Sequence, residues 1–255
     1  MSGGTGSEGK RGAFVKLCVV VACLLCTPPG LWSQAGEELP GDPARVAYEM
    51  GFSYLLAKDS ARARAYLEEA VAAGGSYGDQ ARVELVRLLA YETAAEATNA
   101  GDGGQGEAAV LAPIRQALLG FEDRTRIPRA WFAAVQALEE AGQYAPSIKL
   151  AMELALRYPT SPEADDALLT AARLHDANGH SAAALESLFR ILKDHSSGDR
   201  VPTAAYMIAR IYSRPGEYYS PGRACAALVY LRLRAGEKTP AHVAALGLYR
   251  DYCVY

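Results

Sequence analysis

His175 and His180 stand five residues apart with Asp176 between them, and these are side chains a transition metal would take. Two ligands on one helical face need a spacing of three or four, and Gly179 puts a turn between these histidines, so they are not expected to bind a metal. Cys225 and Cys253 are the remaining sulfur candidates, because Cys18, Cys23 and Cys26 fall in the first 35 residues. In an oxidising compartment they could pair; the alternative, which two cysteines separated by a helix and a loop favour, is two buried thiols. Gly101, Gly103 and Gly106 spell G-x-G-x-x-G. That fingerprint binds a dinucleotide only after a strand and within a parallel sheet, and here helical patterns flank both sides, so it reads as a flexible loop. No G-x-S-x-G, no Cys–His pattern and no phosphate loop with a lysine is present. The expectation is a protein that is not an enzyme and needs neither cofactor nor metal.

The start of the chain has the form of an address. Lys10, Arg11 and Lys16 precede an apolar run from Leu17 to Cys26, Thr27-Pro28-Pro29-Gly30 breaks it, and Ser33-Gln34-Ala35 offers small residues for cleavage. Residues 1–35 are therefore expected to be a secretory signal peptide and 36–42 a short linker. The run is too short for the roughly 20 residues that span a bilayer, which disfavours an uncleaved anchor. Val20-Val21-Ala22-Cys23 resembles a lipobox, so Cys23 is a candidate lipidation site, although cleavage after Ala35 is preferred. A membrane contact is expected only through such a lipid or an uncleaved signal. The chain carries 26 basic and 29 acidic residues, a net charge of −3, with no block of one sign, so nucleic acid is not an expected partner.

Alanine-rich segments with few β-branched runs and a 3.6-residue apolar period point to an all-α chain. Pro43 opens a helix from about 44 to 57 with Asp42 as N-cap, and residues 60–73 return along it. A third helix runs from about 77 to 97, the glycine-rich loop occupies 99–106, and a fourth helix covers about 107–121. Helices follow at about 128–140 and 145–158, at 163–178 and 181–194, and at 202–212 and 222–235. Ser161 is placed to cap before Pro162, and Thr239-Pro240 starts a last helix.

Small and apolar residues recur within these hairpins. Trp131, Ala134, Leu138, Gly142, Ser147, Ala151, Leu154 and Pro159 form the clearest set. Leu168, Ala171, His175, Gly179, Ala184, Leu188 and Ile191 repeat it, and Ala47, Met50, Gly51, Tyr54, Ala63, Leu67 and Ala70 form an earlier copy. A further copy keeps Ala209, Tyr212, Ala224, Leu228 and Leu231, with a longer turn. The pattern resembles the tetratricopeptide repeat, a helix-turn-helix unit of 34 residues. Val135 departs from it, standing where glycine or alanine is usual. The resemblance implies a right-handed α-solenoid of about five hairpins, with repeats over 43–126 and 127–238 and a capping helix over 239–255. The stretch from Tyr158 to Ala164, followed by Ala167-Leu168-Leu169, is also similar to exported repeat proteins of bacterial envelopes, including outer-membrane assembly lipoproteins and cell-division coordinators.

In such a solenoid the first helix of each hairpin lines a concave groove. Counting repeat positions puts Arg45, Tyr48 and Phe52 there, then Arg82, then Arg129, Phe132, Gln136 and Glu139. Asp166, Leu169 and Arg173 follow, then Tyr206, Arg210 and Arg214. The candidate partner-binding residues are Tyr48, Phe52, Arg82, Arg129, Phe132, Gln136, Arg173, Tyr206, Arg210 and Arg214, since arginine and aromatic side chains make large contacts. The bland alternative is that these arginines are solvated and the aromatics pack on the next repeat. The lysine and asparagine clamp with which some members hold an acidic C-terminus is absent. The function expected is an exported scaffold, periplasmic or envelope-associated, that binds a protein or peptide segment. Alternatives are a lipidated outer-membrane assembly factor, or a subunit that self-associates through its last helix and Tyr249, Tyr252 and Tyr255. Oligomeric state is left open.

Overall fold

The computed structural model describes residues 42–99, 106–119, 121, 123–234 and 239–253. The leader with Cys23, the linker up to Gly41, the centre of the glycine-rich loop and the end of the chain after Cys253 lie outside these residues. Among the described residues the structure is entirely helical: α1 (Pro43–Leu56), α2 (Ser60–Ala73), α3 (Gly75–Asn99), α4 (Gly106–Leu119), α5 (Ile127–Glu140), α6 (Tyr144–Arg157), α7 (Pro162–Ala177), α8 (Ser181–Asp194), α9 (Val201–Ser213), α10 (Pro221–Arg234) and α11 (Pro240–Cys253).

Local chemistry sets most of these boundaries. The Asp42 carboxylate accepts from the Ala44 N–H at 3.0 Å, and Pro43 needs no partner for a donor it lacks. Asp59 does the same for α2 through the Arg62 N–H at 3.1 Å. Ser161 does not cap α7 as expected: its buried Oγ has no partner, and the helix start carries Glu163 and Asp165, whose charge offsets the dipole. Pro113 sits inside α4, where a proline interrupts the ladder. It is exposed, so the opposite face still buries Val110, Leu111, Ile114 and Leu118. The turns of two hairpins pass through Gly142 and Gly179, with φ of +76° and +78°, a conformation that costs a side chain about 1–2 kcal/mol.

Each helix packs on the one before it, and several also pack on the next but one: α1 on α3, α3 on α5, α5 on α7, α4 on α6 and α9 on α11. The apolar interior is accordingly a string of clusters and not one centre. Ala47, Leu67, Ala70 and Ala81 join α1–α3; a second cluster runs from Val83 on α3 to Ala171 on α7. A third runs from Ala155 on α6 to Ala224 on α10, and Ala205, Ala209, Leu228, Leu231, Ala241 and Ala245 join α9–α11.

The recurring residues are the ones that let paired helices approach. Ser147, Ala184 and Ala224 are buried at the same point of three second helices, as are Ala151, Leu188 and Leu228, and Leu154, Ile191 and Leu231. The Ser147 hydroxyl donates to the Val135 carbonyl at 3.0 Å, so the unusual Val135 is accommodated, fully buried. At Gly51 the approach is tighter still, since a Cβ there would stand 2.8 Å from Leu67 Cγ. The Trp131 Nε1–H donates to the Leu150 carbonyl at 2.8 Å, and the Arg157 guanidinium lies over its ring.

Candidate functional site

The first helices α5, α7 and α9 carry the same face in the same register. Gly142, Gly179 and Gly216 mark equal points in the chain, each with positive φ. Counting back from them aligns Phe132, Leu169 and Tyr206, all partly buried, and then Gln136, Arg173 and Arg210 one helical turn later. The result is a row of three apolar or aromatic side chains beside a row of long polar ones.

The arginines of that second row are tied to the preceding first helix. Arg173 pairs with Glu139 of α5. Arg210 donates to Asp176 of α7 at 2.8 Å, and Arg214 grips the same carboxylate with both terminal nitrogens at 3.0 and 2.6 Å. Nearer the helix starts, Arg200 pairs with Asp166. Three of these pairs are separated by 34 residues: Glu139–Arg173, Asp166–Arg200 and Asp176–Arg210. That is one helical turn less than the distance between successive turn glycines, as expected when each first helix sits beside the last with a one-turn offset.

Asp176 is the buried centre of this ladder. Its side chain is 4% exposed, while those of Arg210 and Arg214 are 40% and 47% exposed. Burial by itself would raise its pKa. The hydrogen bonds and charges of Arg214 and Arg210 outweigh burial and hold the carboxyl below its usual range. The residue that seemed to belong between two histidines is thus a structural anion. His175 and His180 face each other edge-on at 6.1 Å, and burial followed by the His180 charge pushes His175 below its ordinary pKa. Among the described residues no group of three or more His, Cys, Asp or Glu side chains is placed to hold a metal.

At the other end, Tyr48 and Phe52 of α1 stack at 6.1 Å, and Tyr77 of α3 lies 5.9 Å from Tyr48. Burial raises the Tyr48 phenol pKa and the Glu84 charge adds to it, while Arg129 of α5 and Arg87 of α3 pull it down. Charges of α3 and α5 therefore act on the Tyr48 phenol from neighbouring first helices. Arg129 and Gln136 are exposed. Arg82 stands elsewhere. With Leu85, Val86 and Leu89 it forms a stripe of α3 that lines a shallow cleft of about 310 Å³, closed by Arg64, Glu68 and Val71 of α2, Ala117 of α4 and Phe121. The candidates thus divide into an aromatic group (Tyr48, Phe52), a registered face on α5, α7 and α9, and Arg82 in the cleft.

The sequence reading missed the ion-pair ladder. Its signal was present: carboxylates and arginines of opposite sign recur 34 residues apart, one turn short of the glycine spacing. No helix of the described residues is long and apolar enough to cross a membrane. No protein-family model matches the chain, and no curated protein is similar enough to count as a relative.

Proposed function

We propose that this chain is an exported scaffold of tetratricopeptide-repeat type that binds a protein segment along the face of its first helices, in a periplasmic or envelope setting. The observation that carries the reading is the register of Phe132, Leu169 and Tyr206 on α5, α7 and α9, beside the Glu139–Arg173 and Asp176–Arg210 pairs. A row of partly exposed apolar side chains on stacked helices suits a helix or an extended peptide, which buries apolar contacts at successive positions. The paired arginines are not free cations, so the face does not select for an acidic ligand by charge alone. They remain half exposed, and their spare N–H groups can donate to a partner's backbone carbonyls at the polar rim. The export reading rests on the signal-like leader, and the repeat reading on the recurring buried small residues.

A photo-crosslinking residue placed at Gln136 or Arg129, both exposed, tests this in intact cells. The expected outcome is a discrete crosslinked species from either position and none from Leu156, which is 73% exposed on the second helix α6. Equal crosslinking from Leu156, or none from Gln136 and Arg129, would overturn the proposal.

A further inference from the structure

The last helix α11 packs on α9 and α10. Ala241 and Ala245 enter the cluster with Ala205, Ala209, Leu228 and Leu231. The Tyr249 hydroxyl donates to the Leu228 carbonyl at 2.6 Å, and the Tyr252 hydroxyl donates to the Ser213 carbonyl at 3.0 Å. One turn of α11 brings a different chemistry into the same contact. The Cys253 Sγ–H points at Cys225 Sγ of α10 across 2.6 Å, well inside ordinary non-bonded contact for two sulfurs. Both cysteines are half-buried, so the sulfurs are close to each other and still within reach of a small reagent.

We infer that Cys225 and Cys253 form a disulfide that clasps the terminal helix α11 to α10. The reaction is thiol–disulfide exchange with an external disulfide, either a low-molecular-weight one or the active disulfide of a protein oxidant. One protein thiolate attacks the external disulfide and expels its first thiol, leaving a mixed disulfide. The second protein sulfur then loses its proton, attacks, and expels the second thiol. The Cys225–Cys253 bond forms, the external S–S bond breaks, and two external thiols carry away the electron pair and two protons. Burial first, and then the neighbouring Cys225 sulfur, push the Cys253 thiol up to about 11, so little of it is thiolate at neutral pH and the exchange speeds up as pH rises.

The bond would tie together two residues 28 positions apart, across the connector between α10 and α11, and fasten the cover over Leu228 and Leu231. Two copies of this chain are not needed, because the two sulfurs already meet within one. The inference is independent of the partner-binding reading: it concerns the end of the array and not the α5–α9 face.

The test treats the full chain with oxidised glutathione, digests it without reductant and maps the thiols by mass spectrometry after alkylation. The expected result is a linked peptide pair containing Cys225 and Cys253, which disappears with dithiothreitol. A closed loop of this length raises the melting temperature by about 6–12 °C, and dithiothreitol should remove that gain. Cys225→Ser and Cys253→Ser should each melt at the temperature of the reduced chain and be insensitive to dithiothreitol. Complete alkylation of both residues after oxidation would overturn the inference, as would linkage of either to a different cysteine. Should a serine variant fail to fold, the peptide map of the unmodified chain decides the matter alone.

Discussion

Breaking the Asp176 cluster from its two sides should give unequal losses. Asp176→Asn removes the charge of a side chain that is 4% exposed and leaves Arg210 and Arg214, at 40% and 47% exposure, free to turn into water. What is lost is the charge-assisted part of the hydrogen bonding, about 2 kcal/mol. Arg210→Met combined with Arg214→Met leaves the buried carboxylate with no counter-charge, which costs about 4 kcal/mol. In a domain of this size each kcal/mol is about 2–4 °C of melting temperature, so the double variant should melt several degrees below the single one. The pH dependence separates them further. Because Arg214 and Arg210 depress the folded pKa of Asp176 below its ordinary 3.8, the stability they provide is present above that value and is lost as pH falls through the folded one. In the double variant only burial acts, and the sign reverses. The folded pKa then lies above 3.8, and acidification through it restores stability relative to neutral pH. Thermal melts followed by far-ultraviolet circular dichroism, from neutral pH down to about pH 3, read both effects. Equal losses for the two variants at neutral pH, or a double variant whose deficit ignores pH, would refute the reasoning.

Two further outcomes follow from the packing. Gly51→Ala puts a Cβ 2.8 Å from Leu67 Cγ and 3.2 Å from the Leu67 backbone nitrogen, so urea titration should show a loss of about 1–3 kcal/mol. Adding Leu67→Ala should show non-additivity, since the clash partner is gone. Gly179→Ala meets no neighbour within 4 Å, so its cost is the backbone's alone, about 1–2 kcal/mol, and Gly179→Asn should lose less because asparagine tolerates positive φ. An alanine variant as stable as the unmodified chain would show that the turn does not need that conformation.

Helix positions were legible because they depend on near neighbours. The Pro43, Pro128, Pro162, Pro202 and Pro240 starts, the turn glycines and the apolar period all act within a few residues, and the helices fall within two residues of where these signals put them. The Ser161 cap was misjudged because a hydroxyl's choice of partner depends on what packs around it. The candidate face was legible as positions and not as chemistry. Phe132, Leu169 and Tyr206 share a register that counting finds. That Arg173, Arg210 and Arg214 are engaged by Glu139 and Asp176 depends on the offset between neighbouring first helices, which periodicity within one helix does not contain.

The order of amino acids by itself determined that this chain is helical, where its hairpins turn, and which small residues must be buried between paired helices. Those are consequences of backbone conformation and apolar spacing, interactions of short range. Tertiary structure alone decided which distant groups meet. It set Asp176 under Arg210 of the next first helix and Arg214 just beyond that helix's end, placed Arg82 in a cleft on the other side of α3, and brought Cys253 against Cys225 across the last connector. The physical reason is that ion pairing and sulfur chemistry act over a few ångströms, and only the stacking of whole helices brings residues 28 to 38 positions apart within that range.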